Sequence, residues 1–149
     1  TGYMGGHTAN PTYEQVCSHS TGHAETVRIV FDTSLTSAAE LIRLFFEIHD
    51  PTQVGGQGND IGDQYRSQIW TTTPEQLRDA TALRAAYQNV LSAGGFGPIQ
   101  TVVSAAPNTD SNARFWYAED YHQQYLFKNP GGYECHARTG VACPALPSE

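Results

Sequence analysis

Lysine is almost missing from this chain: Lys128 is the only one in 149 residues, and the 8 lysines and arginines together face 15 acids, giving a formal charge of -7. Proteins that neutralise a phosphate backbone need clustered cations, so a nucleic-acid partner is excluded. Long apolar runs are lacking too. Charge or glycine interrupts every stretch well short of the ~20 consecutive apolar residues that a membrane helix requires, so no membrane partner is expected. Cysteine is scarce, at three residues. That is too few and too odd a number for a disulfide framework, and it favours a working redox pair or a reducing compartment, the cytoplasm being the expected one. No basic or apolar leader precedes Gly2, and the first residue is Thr1. This end is therefore expected to have been set by processing or truncation, which leaves an upstream targeting signal open.

What is present divides into patterned and unpatterned stretches. The length suits a single domain, 1–149, which at this size buries roughly 68–70% of its unfolded surface. Residues 1–24 show neither helical nor strand period and read as ordered loop. Val27, Ile29 and Phe31 alternate with Thr26, Arg28 and Val30, which predicts a well-buried strand ending at Asp32. Ser37 and Glu40 have capping-box spacing, followed by Leu41, Leu44, Phe45 and Ile48 at helical intervals, so a helix is predicted over 38–48. A glycine-rich loop spans 50–64, and 65–70 reads as a strand. Thr73-Pro74-Glu75-Gln76 opens a second helix, with Gln76 placed to reach back to the cap, and Gly94-Gly95 closes it. A third strand is predicted over 99–104 and a short aromatic helix over 116–127, ending before Asn129-Pro130. The tail beyond Pro130 has no period and reads as coil laid over the body. Strands alternating with helices indicate an α+β domain, a two-layer α/β sandwich.

Several short runs place acids and hydroxyls in irregular backbone beside regular elements, where a rigid scaffold tends to hold chemistry. They are Gly2-Tyr3-Met4-Gly5-Gly6, Asn10-Pro11-Thr12-Tyr13, Thr21-Gly22-His23-Ala24-Glu25, Gln57-Gly58-Asn59-Asp60, Tyr65-Arg66-Ser67 and Gly132-Tyr133-Glu134-Cys135. Through these runs nearly the whole chain resembles peptide methionine sulfoxide reductase A. The resemblance implies a ferredoxin-like sandwich with a mixed sheet, reduction of methionine S-sulfoxide, free or in proteins, to methionine, and thioredoxin as reductant. It implies no cofactor and a monomer.

The resemblance also assigns residues. Tyr13 and Tyr65 occupy the positions of the sulfoxide-binding tyrosines, and a phenol with a reference pKa of about 10 keeps its proton at neutral pH. Glu25 occupies the position of the acid. Its strand neighbours are apolar, so burial is expected to raise its pKa and let it act as a proton donor. Asp60 matches a loop aspartate and is expected to orient neighbours or water. Cys135 takes the resolving position and Cys143 the recycling one, in a tail over 130–149 expected to move. The family's nucleophile lies in a Gly-Cys-Phe-Trp-Gly motif upstream of the Gly-Tyr-x-Gly-Gly run, and no such motif occurs in this sequence. The chain is therefore expected to be an N-terminally incomplete domain, inactive alone, with apolar surface exposed around Val27 to Phe31. The alternative is a non-catalytic binding module for oxidised methionine. Attack by Cys17 is a third reading, but its position matches a family site that is not the nucleophile. Cys17, His19, His23 and the Cys135-His136 pair lack the tight spacing of zinc sites, so no metal is expected.

Overall fold

The computed structural model describes residues 1–135 and 137–146. His136, weighed above as a zinc ligand, and the end of the tail, 147–149, lie outside the described residues. The chain is mixed α/β, with three small sheets rather than one continuous sheet among the described residues. β2 (Ala24–Thr26), β1 (Gly2–Met4) and β7 (Trp116–Tyr117) form an antiparallel set with β1 in the centre. β3 (Gly56–Gln57) and β4 (Asp60–Ile61) form a hairpin, and β5 (Gln68–Thr71) pairs in parallel with β6 (Val102–Ala105).

The two long helices form as their sequence signals require. In α2 (Ala38–Glu47) the Ser37 hydroxyl accepts from the Glu40 backbone N–H at 3.2 Å, and the Glu40 carboxylate accepts from Ser37 N at 3.1 Å. Such a reciprocal cap satisfies two of the donors a helix start leaves unpaired. α3 (Pro74–Ala93) starts on Thr73, whose hydroxyl takes the Gln76 N–H at 3.2 Å. Gln76 reaches back as predicted, but to Thr72 N at 2.8 Å, one residue before the cap. α3 is the crossover between β5 and β6, as a parallel pair demands.

Ile42 and Phe46 of α2 meet Ala80, Leu83, Tyr87 and Leu91 of α3 in the main core, which Ile99 and the tail residue Cys143 complete. Ile69 of β5 and Val103 of β6 pack against this core. The opposite face of β5 turns Trp70 onto the Gly5 turn. A smaller core joins Tyr3, Val16 and Ala118, with Tyr13 against it.

Four sequence expectations are corrected. Residues 1–24 are not all loop: they hold β1 and the short helix α1 (Tyr13–Cys17), which are too brief to show a period. The buried strand over Val27 to Phe31 is absent. β1 pairs with β2 as far as Gly2 opposite Thr26; among the described residues no strand pairs with the backbone beyond Thr26, and Val27 and Val30 stand 69% and 90% exposed. The apolar exposure expected there is present. The strand predicted from Tyr65 begins at Gln68, because Asp63–Tyr65 form a 3-10 turn and the Arg66 guanidinium is drawn aside to the Gly22 and Asp63 carbonyls. The helix predicted over 116–127 is divided into β7, a 3-10 turn at Asp120–His122 and one turn of helix, α4 (Tyr125–Lys128). Gln124, in left-handed backbone at φ 54, separates the last two.

Candidate active site

Tyr13, Glu25, Asp60 and Tyr65 come from four separate elements and line one open cavity of about 1000 Å³. Tyr13 is the first residue of α1, whose start is set by Thr12 and Gln15 in a second reciprocal cap. Glu25 sits in the middle of β2, opposite Tyr3. Asp60 starts β4, and Tyr65 ends the 3-10 turn that follows. The hairpin between β3 and β4 is held by Gln53, whose side chain accepts from Gly58 N at 2.6 Å and donates to Gly58 O at 3.0 Å.

The expected electrostatics hold in direction, with a different origin for Glu25. Its own strand does not bury it; it is exposed at the cavity, and the cavity walls withhold water and push its carboxyl upward. The neighbouring Asp60 charge adds to the rise, and His122 opposes it. The Cys17 thiol beside the Tyr13 hydroxyl, then burial, push that phenol up to about 12. Burial and the charges of Glu25, Cys17 and Asp60 raise Tyr65 as well. Both phenols therefore remain protonated donors at neutral pH, and the Glu25 carboxyl keeps its proton to a higher pH than an ordinary glutamate.

The tail thiols are placed far apart in character. Cys135 lies on the β3–β4 hairpin, with its Sγ 3.5 Å from the Gln57 carbonyl oxygen. A Cβ at Gly58, where φ is +57, would stand 3.1 Å from that sulfur, so glycine is what lets the tail approach. Nearby, Tyr133 donates to the Asp60 carboxylate at 3.0 Å and joins the cavity wall. Cys143, by contrast, is 1% exposed among the α2 and α3 side chains. Its N–H donates to Glu47 at 2.8 Å and its carbonyl accepts from Arg43 at 3.1 Å, while the Tyr87 hydroxyl donates to Val141 O at 2.7 Å. Burial pushes the Cys143 thiol up to about 11. All three cysteines are free thiols.

His23 is a structural residue. It is fully buried; Nδ1 accepts from Gly6 N at 3.1 Å, and Nε2 donates to the Thr8 carbonyl at 2.8 Å. Among the described residues no group of three His, Cys, Asp or Glu side chains is arranged to hold a metal ion, and no described helix is long and apolar enough to cross a membrane.

Sequence reasoning missed part of the wall. Tyr121, His122 and Tyr125 also line the cavity. The signal was a concentration of acid, histidine and tyrosine from Glu119 to Tyr125, obscured because an aromatic-rich stretch reads as core. Trp70, Phe115, Trp116 and Tyr117 stay outside the cavity lining. Phe115 and Tyr117 flank the Arg28 guanidinium at 4.9 Å each, and Arg114 covers Trp116 at 4.1 Å.

The family model described as peptide methionine sulfoxide reductase matches residues 1–146. The chain belongs to the peptide methionine sulfoxide reductase family. Relatives in this family include peptide methionine sulfoxide reductase MsrA of Rhodospirillum centenum, 55% identical over 143 residues that cover 96% of this chain and 63% of the relative. The mitochondrial peptide methionine sulfoxide reductase of Homo sapiens is 52% identical over 96% of this chain and 58% of its own length. Among solved structures, methionine sulfoxide reductase A of Corynebacterium diphtheriae superposes with a TM-score of 0.82 at 43% identity, covering 98% of this chain and 70% of that one. The chain thus spans about three-fifths of the length of the curated family members it matches.

Proposed function

We propose that the cavity binds the side chain of methionine S-sulfoxide, free or within a polypeptide, and that the site serves its reduction to methionine by thiol chemistry. One observation carries this reading: two protonated phenols and a carboxyl shifted toward its neutral form line a single cavity. A sulfoxide oxygen accepts hydrogen bonds strongly and gains negative charge as the S–O bond weakens. Tyr13 and Tyr65 donate to that oxygen, and Glu25 gives up its proton as charge grows, the role of a general acid. Asp60, held by Tyr133, orients the donors or a water.

A thiol attacking the sulfoxide sulfur takes the oxygen as a sulfenic acid and releases the thioether. The Cys135 thiol then condenses with the sulfenic acid, forming a disulfide and expelling water. Cys143 exchanges into that disulfide, and a dithiol reductant, thioredoxin, restores the thiols while it is itself oxidised. The placement of Cys135 beside the cavity supports its part. Cys143 takes part only when the tail leaves the helical core, so the 130–149 tail has to move during the cycle. Three free thiols fit a reducing compartment such as the cytoplasm, and the chain is read as a monomer. The three small sheets are read as pieces of the mixed sheet of a ferredoxin-like two-layer sandwich, a reading supported by α2 and α3 packing together beside the parallel β5–β6 pair.

None of Cys17, Cys135 and Cys143 stands in a Gly-Cys-Phe-Trp-Gly motif, so the 149 residues alone are proposed to bind sulfoxide without turnover. The same absence favours a second reading, a dedicated binder of oxidised methionine. Calorimetric titration with a blocked peptide containing one methionine S-sulfoxide, against the same peptide with methionine, tests the binding step. The sulfoxide peptide binds more tightly, and Tyr13→Phe or Tyr65→Phe each weakens it about 5- to 10-fold, the worth of one hydrogen bond of about 1–1.5 kcal/mol. Equal affinity for the two peptides overturns the reading. Sustained reduction with dithiothreitol overturns the claim that the chain alone does not turn over.

A further inference from the structure

We propose that Glu119 is a positioning residue, a carboxylate clasp that sets the Tyr13 hydroxyl and the His122 ring against the sulfoxide. This rests on the sulfoxide-binding reading above. Glu119 lies just outside the cavity lining, yet it gathers donors from three elements around that cavity. One carboxylate oxygen accepts from the Tyr13 backbone N–H at 2.7 Å. The other accepts from the Tyr3 hydroxyl at 2.6 Å and faces His122 Nδ1 at 3.2 Å.

Each of these contacts bears on a residue of the site. Tyr13 opens α1, a helix of 5 residues, far too short to be stable by itself. Its place against the cavity therefore depends on tertiary anchors, among them Val16 and the Tyr13 ring in the small core and the Glu119 bond to the helix's first N–H. Tyr3 is the sheet partner of Glu25, so the same carboxylate also steadies the strand that carries the proton donor. His122 meets the Tyr13 ring edge-on at 4.7 Å between centroids, so fixing the imidazole also limits the swing of the phenol. Burial works against a charge on Glu119, but the hydroxyl of Tyr3, the backbone N–H groups of Tyr13 and Glu119, and His122 together hold its carboxyl below the usual range, so the clasp is closed at neutral pH.

A single change separates the charge from the shape. Glu119→Gln keeps the length but turns one acceptor oxygen into an NH2 donor, so Tyr13 N–H, Tyr3 and His122 no longer all find an acceptor. Glu119→Asp keeps both oxygens. The readout is the ratio of affinities of the 149-residue chain for the methionine S-sulfoxide peptide and its methionine counterpart, because a general loosening of the fold weakens both peptides alike. E119Q lowers this ratio at least fivefold, E119D returns it to within about twofold of the parent chain, and E119Q makes no further difference in a Tyr13→Phe background. An unchanged ratio in folded E119Q overturns the clasp, as does a full-sized additional loss in the Tyr13→Phe background. A parent chain without sulfoxide preference overturns the binding reading itself. If E119Q does not fold, the Tyr13 amide proton of the parent chain decides: its NMR shift follows the titration of a carboxyl below the ordinary glutamate range, and a Tyr13 amide blind to that titration overturns the clasp.

Discussion

Cys135 rests on a glycine-rich hairpin at the rim of a cavity, whereas Cys143, a short way along the same tail, is sealed between two helices and tied down on both sides of its peptide. The two settings divide the molecule. Around the cavity the chain is held by short elements, side-chain hydrogen bonds and tight turns. Around Cys143 it is held by close-packed apolar side chains. The same tail thus serves both regions, and chemistry that uses both thiols must draw free energy from the helical core to release one of them.

Four measurements sharpen or break this contrast. The largest effect is expected from Phe46→Ala, which empties a fully buried position and is expected to destabilise the chain by about 3–5 kcal/mol in denaturant unfolding. A smaller loss, comparable to an exposed substitution, would mean that the helical pair is not the main store of stability. Next is the difference between the thiols themselves. Cys143 is 1% exposed, with its thiol pushed up to about 11, and thiolate is the reactive form. Timed alkylation with maleimide and mass spectrometry is expected to modify Cys135 at least about a hundredfold faster, and comparable rates would erase the distinction.

Tyr87→Phe removes the hydroxyl that donates to Val141 O and meets Thr139 at 2.8 Å. It is expected to cost about 1–2 kcal/mol and to speed the alkylation of Cys143 while leaving that of Cys135 unchanged. Acceleration at both sites would show a general loosening instead. The smallest effect belongs to Glu25. Its carboxyl is raised in the folded chain, so the protonated form is favoured by folding. That contribution is complete below the ordinary glutamate range and is lost as pH rises through the raised value. Sulfoxide-peptide affinity is expected to fall severalfold over the same rise, and Glu25→Gln to flatten the profile. A wild-type profile that is flat across the carboxyl range would remove Glu25 from the donor role.

Much of the candidate site was legible because turn chemistry is local. Thr12 before Tyr13, and the Gly58-Asn59-Asp60 run, fix nearby backbone through bonds spanning a few residues, and the motifs that carried the family resemblance lie in those runs. Tyr13, Glu25, Asp60 and Tyr65 are named by that resemblance, not by the turn chemistry, and the fold brings all four to one cavity. Glu119, His122 and Tyr125 were passed over because their aromatic stretch has the composition of core, and only the break at Gln124 and the pairing of Trp116 with Tyr3 turn it toward the cavity.

The sequence by itself determined the two long helices, through caps and apolar spacing that act within a turn or two, and it set the acidic balance of the chain, 8 basic residues against 15 acids. Only the tertiary structure decided whether an apolar alternation becomes a strand. Val27 to Phe31 has the pattern, but a strand needs a backbone partner, and among the described residues no strand pairs with this stretch. The tertiary structure also decided which thiol is accessible, because two cysteines in one unpatterned tail differ only in what lies beneath them.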